Sequence, residues 1–539
     1  MSEAPGNSTS ERLYRLAAVV RADVLIRLRR PSTAVVFVLL SMLPYMWIPD
    51  PSTGRTLIQI AGRRALYNSA AIGMGTAVLA TMFIGLAGFY VISNAVKRDV
   101  ISRCGFVIAS TTMRSSEYLL GKFAGNVVFL SIFTLGFMAT AMAMVLVRGE
   151  APLEPLVFAR QYLLLLPPTI FAVSAFAIVF ECTPVLRSKF GDVLYFFLWL
   201  GLMGVVASQT EKGTVGWPAY FDISGLAFMT EQLKTTYQTD TLSIGATDFD
   251  AKKAPLIFNG LQFGAQWMLP RVVSTLWPMV LLILARVFFH RFDPARVRSM
   301  PNEKSRTSWL GRFNLITKPV ARLFVLIGNA ITSLPGLPLI VRTAMTDAAT
   351  TIAAFPLVSV AIAGFAIASL TTSDAQSHIA GLLPFAFAGC AIALADIACR
   401  EKRAGTTALL YAAPGLRAKF VLWKFASTLL VAIAFLGVPI ARAVALRPSS
   451  ATPLLVAVVF LSAAATALGI LSANPKTFIV SFLTFWYIAL SDKGASPELD
   501  FAGWFGKTTS SVSLAYALAA LAFLTLAQLF HMWELRRKW

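Results

Sequence analysis

Only 26 of the 539 residues are acidic, 3 are histidine and 4 are cysteine. So few cysteines exclude a disulfide framework. Cys104, Cys182 and Cys399 fall in segments expected in the cytosol, and Cys390 falls inside an apolar run. No Cys/His spacing matches a zinc site. Charged residues are 14% of the chain, against about 25% in a soluble domain, which excludes a soluble enzyme and a disordered chain. Catalytic signatures are missing too. There is no G-x-x-x-x-G-K-S/T phosphate loop, no G-x-S-x-G, no H-E-x-x-H and no Asp-rich loop to hold a metal. The segment "YLLGKF" has Gly-Lys but neither the first glycine nor the Ser/Thr. Glu117/Lys122 and Glu401/Lys402 read as solvated loop faces. The chain is therefore expected to catalyse no covalent step and to hold no cofactor or metal of its own.

What the chain has is apolar length: 57% hydrophobic residues, with 40 Phe and 11 Trp, and a mean hydropathy of +0.70. Runs long enough to cross a bilayer are read at 32–49, 69–92, 125–147, 161–180, 193–208 and 271–289, then 348–370, 378–398, 425–446, 453–473, 477–491 and 511–533. The expected fold class is an all-α polytopic membrane protein of about twelve transmembrane helices. Lys and Arg total 47 and give a net charge of +21. No basic stretch is interleaved with aromatics in the manner of a nucleic-acid groove, so these residues orient loops and meet lipid headgroups. They concentrate in alternate loops, which places both termini in the cytoplasm. The polar, basic first 30 residues are no signal peptide. Arg outnumbers Lys, which suits a GC-rich bacterial source, and the expected location is a bacterial inner membrane. The run interiors are nearly uncharged; Glu181, Asp192, Asp347 and Asp396 stand at run ends. Gly73, Gly75, Gly85 and Gly88 read as a close-packing stripe.

The runs form two groups of six, and motifs recur between the groups. Leu120-x-Lys122-Phe123-Ala124 matches Leu422-x-Lys424-Phe425-Ala426, and Cys104-Gly105 answers Ala404-Gly405 two residues out of step. Charged clusters open both loops, "VKRDVISR" and "CREKR". On the other side, Asp222-x-x-Gly225 precedes the sixth run and Asp500-x-x-Gly503 the twelfth. This predicts a duplicated six-span unit: residues 1–30 a cytoplasmic amphipathic surface helix, 31–290 the first transmembrane domain, 291–335 a cytoplasmic linker and 336–539 the second domain. The surface helix carries Leu13, Leu16, Val20, Val24 and Leu28 on one face. A second surface helix is read at "KPVARLFVLIGNAI". The outer loop 209–270 is longer than its counterpart 492–510 and is expected to be an insertion with a short helix, "GLAFMTEQLKTTYQ".

The two loops "AVKRDVISRCGFVIASTTMRSSEYLLGKFAGN" and "DIACREKRAGTTALLYAAPGLRAKFVLWKFAST" resemble the first intracellular loop of ABC transporter permeases of the type-2 exporter class. The second fits at Arg403, Gly405, Thr406, Thr407, Leu409, Leu410, Ala413, Pro414 and Lys424. The first departs, with Phe106 after its glycine and Thr111 where proline would stand. The resemblance implies that each six-span half is one transmembrane domain, with coupling helices at about 97–116 and 400–417 docking on a cytosolic ABC ATPase. That ATPase would be a separate polypeptide in two copies, binding the ATP and Mg. Arg98, Arg103, Arg114, Arg400, Arg403 and Arg417 are the docking candidates, with Gly405 and Pro414 shaping the second loop. The implied activity is ATP-driven export of a hydrophobic or amphipathic substrate. A secondary transporter of the major facilitator kind is the alternative; it shares the six-plus-six plan.

Overall fold

The computed structural model describes residues 9–29, 33, 37–38, 41–183, 186–187, 189–210, 217–238, 242–262, 264–290, 292, 322, 326, 330, 336, 338–354, 356–412, 415–494 and 496–538. The chain is 77% helical and divides into two compact units, Met1–Glu303 and Lys304–Trp539. Among the described residues, eight helices are long and apolar enough to cross a membrane. In lipid the helix satisfies every backbone polar group within one segment, so these uniformly apolar stretches have no cheaper conformation. The protein is a predominantly α-helical membrane protein with several spans.

In the first unit, α1 (Thr9–Leu28) is followed by a short α2 (Leu43–Trp47). Of the run expected at 32–49, residues 32, 34–36, 39 and 40 lie outside the described residues. A hairpin comes next, β1 (Arg55–Ile60) and β2 (Arg63–Arg64). Helix α3 (Ser69–Phe83) runs on through a π turn at Ile84–Gly88 to Ile92. Two loop helices, α4 (Ala95–Ile101) and α5 (Cys104–Ser110), lead to the long α6 (Ser115–Arg148) and α7 (Pro155–Cys182). Next is helix α8 (Lys189–Thr210), which includes the apolar stretch Leu194–Met203. Then come α9 (Leu226–Tyr237), β3 (Leu242–Asp248) and α10 (Ala265–Leu276), which continues to Phe288.

One small three-stranded sheet accompanies the helices. β1 is central, antiparallel to both neighbours, in the order β2-β1-β3. Its register pairs Ile60 with Leu242 and Ile58 with Ile244, and it shifts between Thr56 and Ile58. The β1–β2 turn is Ala61-Gly62, both left-handed at φ 52° and 71°, which matches the right-handed strand twist. Leu57, Ile58 and Ile60 are buried. Two faces of one strand can be covered because Gly75 of α3 leaves room: a Cβ there would lie 2.9 Å from Leu57 and Ile58. Strand β3, within the 209–270 loop, thus ties that loop to the first hairpin.

In the second unit, α11 (Leu339–Ala354) and α12 (Pro356–Thr371) are bent by 89° to each other. The single run expected at 348–370 is therefore broken, with Pro356 opening the second piece. A π turn at Ser377–Leu382 opens α13 (Leu383–Leu394). Loop helices α14 (Arg400–Ala404) and α15 (Thr407–Tyr411) follow. Then come α16 (Phe420–Leu446), α17 (Ala451–Ser472), α18 (Pro475–Asp492) and α19 (Ser510–Lys538). Most of the second predicted surface helix, "KPVARLFVLIGNAI", lies outside the described residues.

Candidate functional site

Each unit buries a junction of charges where its loop helices meet the helix that follows them. In the first unit Lys122, near the start of α6, reaches Asp23 Oδ1 at 3.0 Å and Asp99 Oδ2 at 2.7 Å. Asp23 also pairs with Arg27 at 2.7 Å and with Arg98. The Tyr118 hydroxyl donates to Asp99 at 2.7 Å, and Arg27 donates to Asn126 at 2.7 Å. The side chain of Asp23 is fully buried and that of Lys122 is 5% exposed. One carboxylate of the surface helix therefore fastens α1 to both α4 and α6.

The second unit repeats the arrangement. Lys424, fully buried near the start of α16, reaches Asp347 Oδ2 at 2.9 Å and Glu401 Oε1 at 2.5 Å. Arg400 pairs with Asp347 at 3.3 Å and donates to the Thr351 hydroxyl at 2.8 Å. One constant offset relates Arg98 to Arg400, Asp99 to Glu401, Arg103 to Gly405, Tyr118 to Phe420 and Lys122 to Lys424. The matching step of Cys104-Gly105 onto Ala404-Gly405 is thereby corrected. The left-handed residue between the loop helices is Arg103 (φ 60°) in one unit and Gly405 (φ 71°) in the other. The reading of Glu117/Lys122 and Glu401/Lys402 as solvated faces is corrected as well. Lys122, Lys424 and Glu401 are buried, and Lys402 reaches Glu534 at 2.5 Å and the Ile470 carbonyl at 3.1 Å. Burial is tolerable because each charge meets an opposite one.

The docking candidates separate by ion pairing. Arg98 and Arg400 belong to the junctions, and Arg403 holds Asp396 at 2.7 Å. Arg103, Arg114 and Arg417 are exposed, with no side-chain ion pair among the described residues. Pro414 lies outside the described residues. Beside the exposed arginines stand exposed apolar side chains, Val107 at 67% and Leu409 at 76%. On α1 the face that packs inward is Val19, Asp23 and Arg27. Val19 lies against Gly121 and Asp23 against Gly125. Of the predicted apolar face, Leu13 and Leu28 stay exposed while Val24 is buried.

The Asp-x-x-Gly motifs fasten turns. Asp222 Oδ1 accepts from the N–H groups of Ser224 and Gly225 at 2.9 Å each and from the Ser224 hydroxyl at 2.7 Å; Oδ2 accepts from Ala227 N–H at 3.0 Å. Gly225 sits at φ 78° before α9, and a Cβ there would strike Leu165 at 2.6 Å. Asp500 accepts from the N–H groups of Phe505 at 3.2 Å and Lys507 at 2.9 Å, with Gly503 at φ 70°. Arg271, missed in the sequence, donates to the Asp222 carbonyl at 2.9 Å and to the Leu164 carbonyl at 3.0 Å. Pro168 has no N–H to give Leu164, and the guanidinium supplies it. Among the described residues no group of His, Cys, Asp and Glu could hold a metal.

Burial alone would raise the Asp23 carboxyl, but Arg27, Lys122 and Arg98 outweigh it and hold it below its usual value. A depressed carboxylate stabilises above its unfolded pKa of about 3.9, and that stabilisation is lost as pH falls through the lower folded value. Attachment of α1 is thus expected to be constant from neutral pH to about pH 4 and to fail below it. Hydrogen exchange of Thr9–Leu28 against pH checks this; release above pH 5 would contradict the assignment.

No family model, curated protein or solved structure matches the chain.

Proposed function

We propose that the chain is the membrane permease of an ATP-driven exporter of the type-2 ABC class. In this reading its two units are duplicated six-span domains, twelve spans in all. Both termini lie in the cytoplasm of a bacterial inner membrane. A separate cytosolic ATPase, in two copies, binds the ATP and Mg, and the permease moves a hydrophobic or amphipathic substrate without covalent chemistry of its own. The observation that carries the reading is the recurrence, at the loop helices of both units, of a buried lysine held between two carboxylates with an arginine beside it. A loop helix fastened to a span by buried ion pairs can move with that span as a rigid body. The exposed Val107 and Leu409 beside it offer a partner something to grip. The broken run at 348–370 supports the duplication, since it makes α11 a surface helix equivalent to α1, with Asp347 in the place of Asp23. Two shorter apolar helices, Leu194–Met203 and Pro475–Leu490, then serve as the fifth span of each half.

The test is purification of the tagged chain from its host in mild detergent, with photoreactive ATP labelling of whatever accompanies it. An ATP-labelled partner is expected. Val107→Asp with Leu409→Asp should remove it, and so should reversing charge at Arg103 and Arg417. Purification of the chain alone, across several detergents, would overturn the proposal. Arg403 is unsuited to charge reversal, because a reversed charge there would face Asp396.

A further inference from the structure

The two loops that carry the junctions do not present the same surface. The offset that sets Lys122 against Lys424 sets Ile101 against Arg403, Phe106 against Ala408 and Val107 against Leu409. Val107 and Leu409 are alike, at 67% and 76% exposed. The other two positions are not. Ile101 is 73% exposed and Phe106 38%. Their counterparts offer a partner little apolar surface: Arg403 is held by Asp396 at 2.7 Å, and the exposed Ala408 ends at its Cβ. Charge does not separate the loops, since Arg103 and Arg114 are exposed on the first and Arg417 and Lys419 on the second. The first patch has the anatomy of a protein interface, an apolar centre with a polar rim. Its three apolar side chains stand among exposed Ser102, Arg103, Ser110 and Thr111. A helix lying in lipid needs a continuous apolar band instead, and here the serines and the threonine interrupt one.

We infer that the two loops hold the ATPase with unequal strength, and that the first loop carries most of the grip. The inference rests on the ATPase reading above and states what that partner offers: an apolar groove with an acidic rim, wide enough for a phenylalanine. Two copies of one ATPase present two identical grooves, so the difference in strength lies wholly on this chain. A groove closed over Ile101, Phe106 and Val107 takes far more apolar surface from water than one closed over Leu409 alone. The rim meets cations on either loop and steers both copies alike. The second copy is therefore the one that leaves first.

The test reads photoreactive-ATP label per permease chain after the full-length chain is purified in mild detergent with what accompanies it. Leu409→Asp, which leaves the first loop intact, should keep about half of the parent's label. Val107→Asp, which leaves the second, should keep about tenfold less than that, the weight of a large apolar side chain partly covered by a partner. Adding Ile101→Ser and Phe106→Ala to Leu409→Asp should produce the same fall. Adding Ala408→Phe to Val107→Asp should raise the label several-fold, because the second loop then gains what the first has. All of these positions are exposed, and each variant should elute as the parent does. Equal label on Val107→Asp and Leu409→Asp would overturn the inference and leave the ATPase reading standing. A parent chain without label would sink both. Undiminished label after Ile101→Ser and Phe106→Ala, with lost crosslinking to a photoactivatable phosphatidylglycerol in nanodiscs, would give the patch to the membrane instead.

Discussion

Lys424→Met is expected to cost about 3–5 kcal/mol, because removing one member of a buried ion network leaves its partners charged and unpaired. Asp347 and Glu401 both converge on this ammonium, at 2.9 and 2.5 Å, and the lysine side chain is fully buried. Methionine matches the length of the stem, so packing is not the issue. The thermal midpoint of the detergent-solubilised chain should fall by several degrees, and α11 should become accessible to protease. Adding Asp347→Asn and Glu401→Gln to the same chain should recover much of the loss, since the stranded charges then vanish. Failure of the triple variant to improve on Lys424→Met would show that the lysine acts through packing rather than charge. Lys122→Met should behave in the same way in the first unit, with Asp23 and Asp99 stranded.

The second large effect is expected outside the junctions, at Asp222→Ala. This carboxylate satisfies three backbone N–H groups and a hydroxyl, all within a buried turn. Each buried donor left unmatched costs about 1–3 kcal/mol; because the turn can relax, the total should be nearer about 3 kcal/mol than the sum. Asp222→Asn keeps one acceptor oxygen and should lose about half as much. Limited proteolysis at 226–262, together with the thermal midpoint, reads both variants. Unchanged cleavage in Asp222→Ala would mean that the left-handed Gly225 alone holds the turn.

The spans were legible in the sequence because an apolar window of bilayer length is a local signal. Eight of them coincide with long helices. The Asp-x-x-Gly motifs were legible as correspondences, but their work in fastening turns was not, since it depends on where three N–H groups point. The junctions were hidden for a different reason. Asp23 meets Lys122, and Asp347 meets Lys424, across long stretches of chain, and no periodicity links a surface helix to a loop it touches only after folding. Each charge read alone looked solvated. The outer sheet was missed because β1 and β3 lie far apart in sequence, and because the hairpin turns on Ala61-Gly62 rather than on the asparagine that usually marks such a turn.

The π turns at Ile84–Gly88 and Ser377–Leu382 carry one consequence more. Each is an extra residue accommodated inside a helix, and an α-helical residue turns the helix by about 100°. The chain beyond each turn is therefore set at a phase its upstream half would not give it. In the first unit the phase delivers Asn94 and the charged α4 to the junction at one end, while Gly75 remains under the sheet at the other. The Tyr195 hydroxyl holds the Gly85 carbonyl there, and in the second unit the Trp486 indole holds the Pro384 carbonyl at 2.7 Å. Each of these helices is two half-rods keyed together by an aromatic pin, and lineage changes of one residue at the pin would re-aim an entire face.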